Sequence, residues 1–297
     1  MSDLQNLSDG MAAAVKQAGS GLVRVSARRR LGASGIVWSE DGIVITASHV
    51  VRRDSDIKVG LPDGNTVAAT VVGRDNTTDL AVLRLEASDL SPISQANEEA
   101  IAVGNIVMAL GRPRNSVQAT LGIVSALGES WRTSAGGEID RYLRTDVLMY
   151  PGFSGGPLVN VSGEMLGLNS SALGRGVSLA IPNATLSRVI SSIVSYGKVR
   201  RGYLGISTQA VRLPASIREE LGQDTGLLIA SVEADSPAEQ GGLLLGDTIV
   251  ALAGVPVHMH DDLISMLHGD RVGQATSIRV LRGGALQDIE VVVGDRT

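Results

Sequence analysis

The chain has 297 residues, 43% of them hydrophobic but only 2% aromatic, with a net charge of −5 and no cysteine. That length supplies more than one buried core, and cores so poor in rings must be built from Val, Ile, Leu and Ala. The absence of cysteine excludes disulfides, thiol nucleophiles and cysteine-based zinc sites; the negative balance lacks the basic face of a nucleic-acid binder; and no apolar run reaches the roughly 20 residues that span a bilayer.

Residues 1–20 read as an N-terminal arm, with a weak helix around Met11 to Gln17 that has little to bury. The arm has no cationic stretch followed by an apolar one, so as written the chain carries no export address and reads as cytoplasmic; a removed leader would make it periplasmic or otherwise extracytoplasmic. Residues 21–198 form short apolar or alternating runs broken by turn signals, the pattern of an all-β sandwich or barrel. Glu40-Asp41-Gly42 and Pro62-Asp63-Gly64-Asn65 mark hairpin turns. The basic run Arg28-Arg29-Arg30 reads as a solvated hairpin end.

A helix closes the block. Asn183 is its expected N-cap, Leu186, Val189, Ile190, Ile193 and Val194 form one apolar stripe, and Gly197 ends it. Residues 199–297 then mix strand signals (GYLGIS, GLLIASV, DTIVALAG, TSIRVLR, DIEVVV) with helix signals (SPAEQGG, HDDLISMLHG), which marks a second domain.

Within the β block, PGFSGGPL places Ser154 among glycines. A hydroxyl is a poor nucleophile at neutral pH and needs a base, an acid that orients the base, and donors for the developing oxyanion. Gly152 permits a turn that aims its N–H and that of Ser154 at one point, and Gly155 and Gly156 are expected to clear room for a substrate backbone. Three of the four histidines fall in the second domain; the fourth, His49, ends a strand pattern in VITASHVV, and Asp79 heads another in NTTDLAVLRL. His, then Asp, then Ser is the chain order of chymotrypsin-like enzymes, not of subtilisins or α/β-hydrolases.

The stretches TASHVV, TTDLAVLRL, TDVLMYPGFSGGPLVN and GVSLAIP, followed by RGYLGI and GLLIASVEADSPAEQGGLLLGDTIVALAG, resemble the HtrA (Deg-type) serine proteases. The resemblance implies a chymotrypsin-like double β-barrel followed by an α+β PDZ domain. It makes Ser154 the nucleophile, His49 the general base and acid, Asp79 the residue that holds the imidazole tautomer, and the amides of Gly152, Ser154 and Phe153 the oxyanion donors. It also places Met149 at the primary specificity pocket with Asn169, Ser170 and Ser171, where the lack of an acid favours a small or medium apolar side chain. In the PDZ domain it makes Tyr203-Leu204-Gly205-Ile206 the loop that receives a peptide carboxylate, beside a helix face of Leu263, Met266 and Leu267.

Two departures stand out. The family usually has Asn where this chain has Phe153, a ring expected either to pack against substrate or to stabilise a resting loop. The family's arm also often carries aromatics that lock a trimer; this arm has none, so a homo-oligomer is implied without that support for a trimer. His258 and His260 beside Asp261 and Asp262 offer no third metal ligand, and the acids suit a helix N-terminus, so no metal and no cofactor is expected.

The function implied is an ATP-independent serine endopeptidase acting on unfolded or damaged polypeptides, with a PDZ domain that binds peptide C-termini. The competing reading is a peptide-binding chaperone or sensor whose protease domain is latent at rest.

Overall fold

The computed structural model describes residues 3–28, 31–174, 176–267 and 269–295; Arg29 and Arg30 of the basic run lie outside them. The chain forms two compact units, Met1–Val199 and Arg200–Thr297. No described helix is long and apolar enough to cross a membrane.

The first unit opens with helix α1 (Asp3–Gly19), longer than the weak helix the sequence suggests. It does find something to bury: Ala14 and Ala18 pack into the core cluster that joins the two barrels, and Gly163 is required opposite because a Cβ there would meet the Ala14 carbonyl at 2.7 Å. Small residues on α1 and its partner let the helix lie close to the barrel, a contact that an apolar stripe of large residues would have announced and alanines did not.

Strands β1 (Leu22–Ser26), β2 (Ala33–Val37), β3 (Ile43–Ala47), β4 (Ile57–Gly60), β5 (Thr66–Asp75) and β6 (Leu80–Leu85) close into a barrel in the order β1-β2-β3-β6-β5-β4. The turns fall where Glu40-Asp41-Gly42 and the Asp63–Gly64 pair predict them, with Gly42 and Gly64 at positive φ (97° and 94°). A second barrel follows from β7 (Ile106–Gly111), β8 (Gln118–Gly128), β11 (Tyr142–Thr145), β12 (Pro157–Val159), β13 (Met165–Ser170) and β14 (Ser178–Pro182), in the order β11-β14-β13-β12-β7-β8. Between β8 and β11 a small hairpin, β9 (Trp131–Arg132) and β10 (Glu138–Ile139), stands apart from both. The barrel cores are Val, Ile, Leu and Ala, with Phe153 the one phenylalanine and fully buried.

Helix α2 (Asn183–Tyr196) buries Leu186, Val189, Ile190 and Ile193 in the core cluster shared by the two barrels, leaves Val194 of the expected stripe exposed, and ends at Gly197 in the left-handed region (φ 74°). Its cap differs from expectation: Pro182 occupies the N-cap and Asn183 is the first helical residue. The Asn183 amide is drawn away because its Nδ2 donates to the buried Met165 carbonyl (2.7 Å).

The second unit builds a sheet in the order β16-β17-β18-β20-β21 from Ile206–Arg212, Thr225–Val232, Thr248–Leu252, Ala275–Arg282 and Ala285–Val292. Short strand β19 (Val255–Pro256) pairs with β18, and β15 (Gly202–Tyr203) with β22 (Gly294–Asp295). Helices α3 (Ala215–Leu221), α4 (Pro237–Gly241) and α5 (His260–Met266) complete it. The sequence did not announce α3, a seven-residue helix that buries only Ile217.

Candidate active site

His49 and Asp79 are presented by the first barrel. His49 lies in a single 3-10 turn, Ser48–Val50, immediately after β3, and Asp79 stands just before β6, the neighbour of β3 in the barrel. Asp79 adopts the left-handed region (φ 60°), a conformation short polar residues tolerate best. Its backbone and side chain are both committed to the His49 turn. The Asp79 carbonyl accepts from Ser48 N–H (2.9 Å), Oδ1 accepts from His49 N–H (2.9 Å), and the carboxylate faces His49 Nδ1 at 3.1 and 2.8 Å. The carboxylate is nearly buried while the imidazole is about one-third exposed, so the ring is gripped on one edge and open on the other.

The second barrel supplies the remaining groups. Ser154 lies in the turn before β12, Ser170 ends β13 and Ser171 follows it. Ser170 Oγ, fully buried, donates to Asp79 Oδ2 at 2.5 Å and so ties the two barrels together at the carboxylate. Ser171 Oγ pairs with Ser154 Oγ (2.9 Å). Adjacent serines thus hold the two halves of the site, Ser170 on Asp79 and Ser171 on Ser154, and the Ser154 hydroxyl bonds Ser171, not His49.

Around Ser154 the backbone is fixed by contacts across the barrels. Ser34 Oγ donates to the Gly152 carbonyl (2.7 Å) and receives Arg112 N–H (2.8 Å); Ser34 N–H donates to the Ser154 carbonyl (3.3 Å). Phe153 N–H is spent on the Tyr150 carbonyl (3.0 Å), which removes it from the expected set of oxyanion donors. Among the described residues, the N–H groups of Gly152 and Ser154 have no internal acceptor.

Two expectations are corrected here. Gly155 and Gly156 do not make room for substrate. A Cβ on Gly155 would lie 2.2 Å from both the Ser34 carbonyl and Thr46 Oγ1, and one on Gly156 would lie 2.1 Å from the Leu110 carbonyl, so both glycines admit the protein's own strands. Nor does Phe153 face a substrate: its ring is fully buried in the second-barrel core, edge-on to Tyr150 at 5.8 Å. The sequence signal that accompanies it is Gly111 on β7, where a Cβ would sit 2.6 Å from the ring.

The residues assigned to the specificity pocket separate. Ser170 is turned to Asp79 and Ser171 to Ser154, as described, while Met149 is half-buried against the second-barrel core. Asn169 is buried, and its Nδ2 has no hydrogen-bond partner among the described residues. A groove of about 200 Å3 runs beside His49 and Asp79, lined also by Asn76, Thr77, Ala172 and Leu173, and by Thr133–Ala135 of the β9–β10 hairpin. Thr133 Oγ1 anchors that hairpin to the Thr77 carbonyl (2.6 Å). Sequence reasoning missed the hairpin because its tie to Thr77 spans 56 residues and no local pattern encodes it.

In the second unit, Gly205 takes φ 79° and a Cβ there would collide with Ser236 Cβ at 2.2 Å. It breaks the expected strand GYLGIS between Tyr203 and Ile206. The Leu204 side chain is buried in the core and its carbonyl accepts from Ala238 N–H (2.8 Å), while Tyr203 Oη donates to the Glu233 carboxylate. Among the described residues, the N–H groups of Leu204 and Gly205 have no internal acceptor. Of the three groove residues on or beside α5, Leu263 is core and Met266 and Leu267 are partly buried against it. Asp262 Oδ2 accepts from His258 and Met259 N–H (2.8 and 3.0 Å) and so closes the helix start, while His260 Nδ1 meets Thr208 Oγ1 at 3.1 Å.

Two six-stranded barrels that meet at His49, Asp79 and Ser154, followed by this sheet domain, define a trypsin-like peptidase fold with a PDZ domain. The trypsin-like peptidase domain family matches residues 33–168 and the PDZ domain family residues 202–293. A "Probable periplasmic serine endoprotease DegP-like" of Pseudomonas fulva (strain 12-X) is 36% identical over 267 residues, 88% of this chain and 55% of the relative. The same description from Hahella chejuensis (strain KCTC 2396) is also 36% identical, over 88% of this chain and 56% of the relative. The chain thus spans about half the length of the curated relatives it matches. Among solved structures, the HtrA-type protease AlgW with tripeptide aligns at TM-score 0.76 and 32% identity over 97% of both chains. A serine endoprotease from Yersinia pestis aligns at TM-score 0.77 and 30% identity, over 97% of this chain and 98% of that one. The chain belongs to the HtrA family of serine proteases.

Proposed function

We propose that this chain is an ATP-independent serine endopeptidase that cleaves unfolded or damaged polypeptides through an acyl-enzyme, with its PDZ domain binding peptide C-termini. The observation that carries the reading is the buried Asp79 carboxylate gripping His49 Nδ1 while the adjacent serines Ser170 and Ser171 bond Asp79 and Ser154. With Nδ1 committed to the carboxylate, Nε2 is the basic nitrogen that takes the Ser154 proton as Oγ attacks the scissile carbonyl. Asp79 then offsets the imidazolium charge, and the amides of Gly152 and Ser154 receive the oxyanion. His49 returns the proton to the leaving amine, and water repeats the cycle on the acyl-enzyme. Met149 and Asn169 belong to the pocket for the residue before the scissile bond; a buried amide without an acid there suits a small or medium apolar side chain.

The groups that do this chemistry all come from the chain itself, so no metal or cofactor enters the reading. In the PDZ domain the amides of Leu204 and Gly205 receive the peptide carboxylate, and the peptide adds a strand beside β16, over Ile206, Met266 and Leu267. Names of the relatives favour a periplasmic site for this chain, which fractionation of the native host checks. A homo-oligomer is checked by light scattering.

The test is cleavage of an unfolded protein such as casein, together with fluorophosphonate labelling, for wild type and Ser154→Ala. Wild type cleaves and labels; Ser154→Ala does neither. Absence of labelling in wild type under every condition, added C-terminal peptide included, would sink the endopeptidase reading. A latent resting state is the second reading, favoured by the Ser154–Ser171 hydrogen bond that occupies the nucleophile. It expects labelling that rises when peptide fills the PDZ groove.

A further inference from the structure

The protease unit carries a second hollow, of about 510 Å3, that shares no residue with the groove at His49. Its walls are Arg24 and Ser26 of β1, Leu31 and Gly32 ahead of β2, and Pro113 and Arg114 after β7. It abuts the turn that holds the nucleophile: a Cβ on Gly152 would strike Pro113 Cβ at 2.5 Å and the Gly32 carbonyl at 2.9 Å. Ser154 thus has the groove of His49, Ala172 and Leu173 on one flank and this recess, beyond Gly152, on the other.

The recess is positive: two of its lining residues are arginines and, among the described residues, none that lines it is acidic. Arg24 is laid across two glycines; a Cβ on Gly60 would come within 3.1 Å of its Nε and Nη2, and one on Gly32 within 3.1 Å of its Cγ. Its Nη1 is oriented by Asn115 Oδ1 (2.8 Å), and its Nε is buried with no partner among the described residues. Arg114 is exposed and, among the described residues, pairs with nothing. Two further guanidinium groups stand behind the wall: Arg28 donates to the carbonyls of Leu31 (2.6 Å) and Gly32 (3.3 Å), and Arg53 to that of Ser26 (3.0 Å). Two carboxylates near that back wall are already taken: Asp56 faces Arg53, and Asp54 pairs with Arg74, which also donates to the Arg53 carbonyl. Such a concentration of positive charge is unexpected in a chain whose net charge is −5.

We propose that this recess reads an acidic side chain of the substrate, placed within the first three residues on the leaving-group side of the scissile bond. The inference rests on the endopeptidase reading, which puts the acyl side of the substrate along Asn169 and the Ala172–Leu173 groove and leaves the Gly152 flank for the departing segment. An extended chain advances about 3.3 Å per residue, so a side chain one to three positions past the bond reaches a wall that touches Gly152. The planar forks of Arg24 and Arg114 match a carboxylate, and Arg24 is already held in place by Asn115 and the two glycines.

Matched quenched peptides carrying Glu, Gln or Lys at each of the first three positions after the cleaved bond test this. At one of them wild type prefers Glu to Gln by about tenfold in kcat/KM, a difference of about 1.4 kcal/mol, and disfavours Lys. Arg114→Glu, on an exposed side chain, turns the preference toward Lys; Arg24→Lys keeps the charge, loses the fork and narrows the Glu preference. Equal rates for all three peptides in wild type, or a Glu preference that survives Arg114→Glu, overturn the proposal. Ser154→Ala protein supplies a readout that needs no turnover: it binds fluorescent peptides extended past the bond more tightly with Glu than with Gln, and equal affinities overturn the proposal whatever the activity. Fluorophosphonate labelling of wild type reports on the endopeptidase reading alone, so the two failures are told apart.

Discussion

The buried hydroxyl of Ser170 donates to the carboxylate that faces His49 Nδ1. The family resemblance placed this residue at the specificity pocket, and the contact with the carboxylate is one that the structure adds. A side chain at a strand end points to one of two faces, and only the register of β13 against β14, with Ser170 opposite Leu179, decides which. Ser170→Ala is expected to lower kcat about tenfold with little change in KM, the loss of one charge-assisted hydrogen bond that steadies the imidazole. Steady-state kinetics on a peptide substrate measure this, and a variant with raised KM and intact kcat contradicts it. His49, Asp79 and Ser154 were proposed from chain order, because that order together with all-β context points to one fold class, and the structure sets the His49 ring against the Asp79 carboxylate.

At the scale of elements, β7 and the turn before β12 are matched as a pair. The Phe153 ring fills the space that Gly111 leaves, and the Phe153 N–H closes the turn on Tyr150. Phe153→Ala is expected to destabilise the protease unit by about 3 kcal/mol or more, as for a buried ring removed from a close-packed core. Gly111→Ala forces the ring to move, and its cost is expected to fall when Phe153 is already Leu. Thermal denaturation of the two single variants and the double variant measures the coupling; strictly additive costs would break the pairing. Helices show how far local pattern reaches: the stripe and terminal glycine of α2 were legible, whereas the α1 contact rests on Ala14 and Ala18, residues too small to stand out.

Across the whole molecule, each unit holds a carboxylate below its ordinary range against the effect of burial. Burial alone would raise Asp247 and Asp140. The hydrogen bond and charge of Arg282 outweigh it at Asp247, and those of Arg188, with Thr185, at Asp140. A carboxylate whose folded pKa is depressed contributes stability above its unfolded pKa of about 3.9 and loses it as pH falls through the folded value. Both units are therefore expected to weaken below about pH 4. Arg282 grips Asp247 through Nε (2.7 Å) and Nη2 (2.6 Å) and is itself partly exposed, so Arg282→Ala is expected to cost about 2 kcal/mol at pH 7 and to flatten the acid dependence of the PDZ unit. Calorimetry between pH 7 and pH 3 checks this, and an unchanged acid slope in the variant contradicts it. By itself the sequence pointed to the β-rich protease block, the helix after it and the mixed second domain, and it singled out His49, Asp79 and Ser154 as candidates, because periodicity, turn residues and chain order are local or sequential signals. What only the tertiary structure decided is what each side chain faces: Gly155 and Gly156 the protein's own strands, Phe153 the core, Ser170 the carboxylate, and Arg24 and Arg114 a common recess. Those outcomes depend on contacts between residues many positions apart, which closing two barrels creates and no local pattern records.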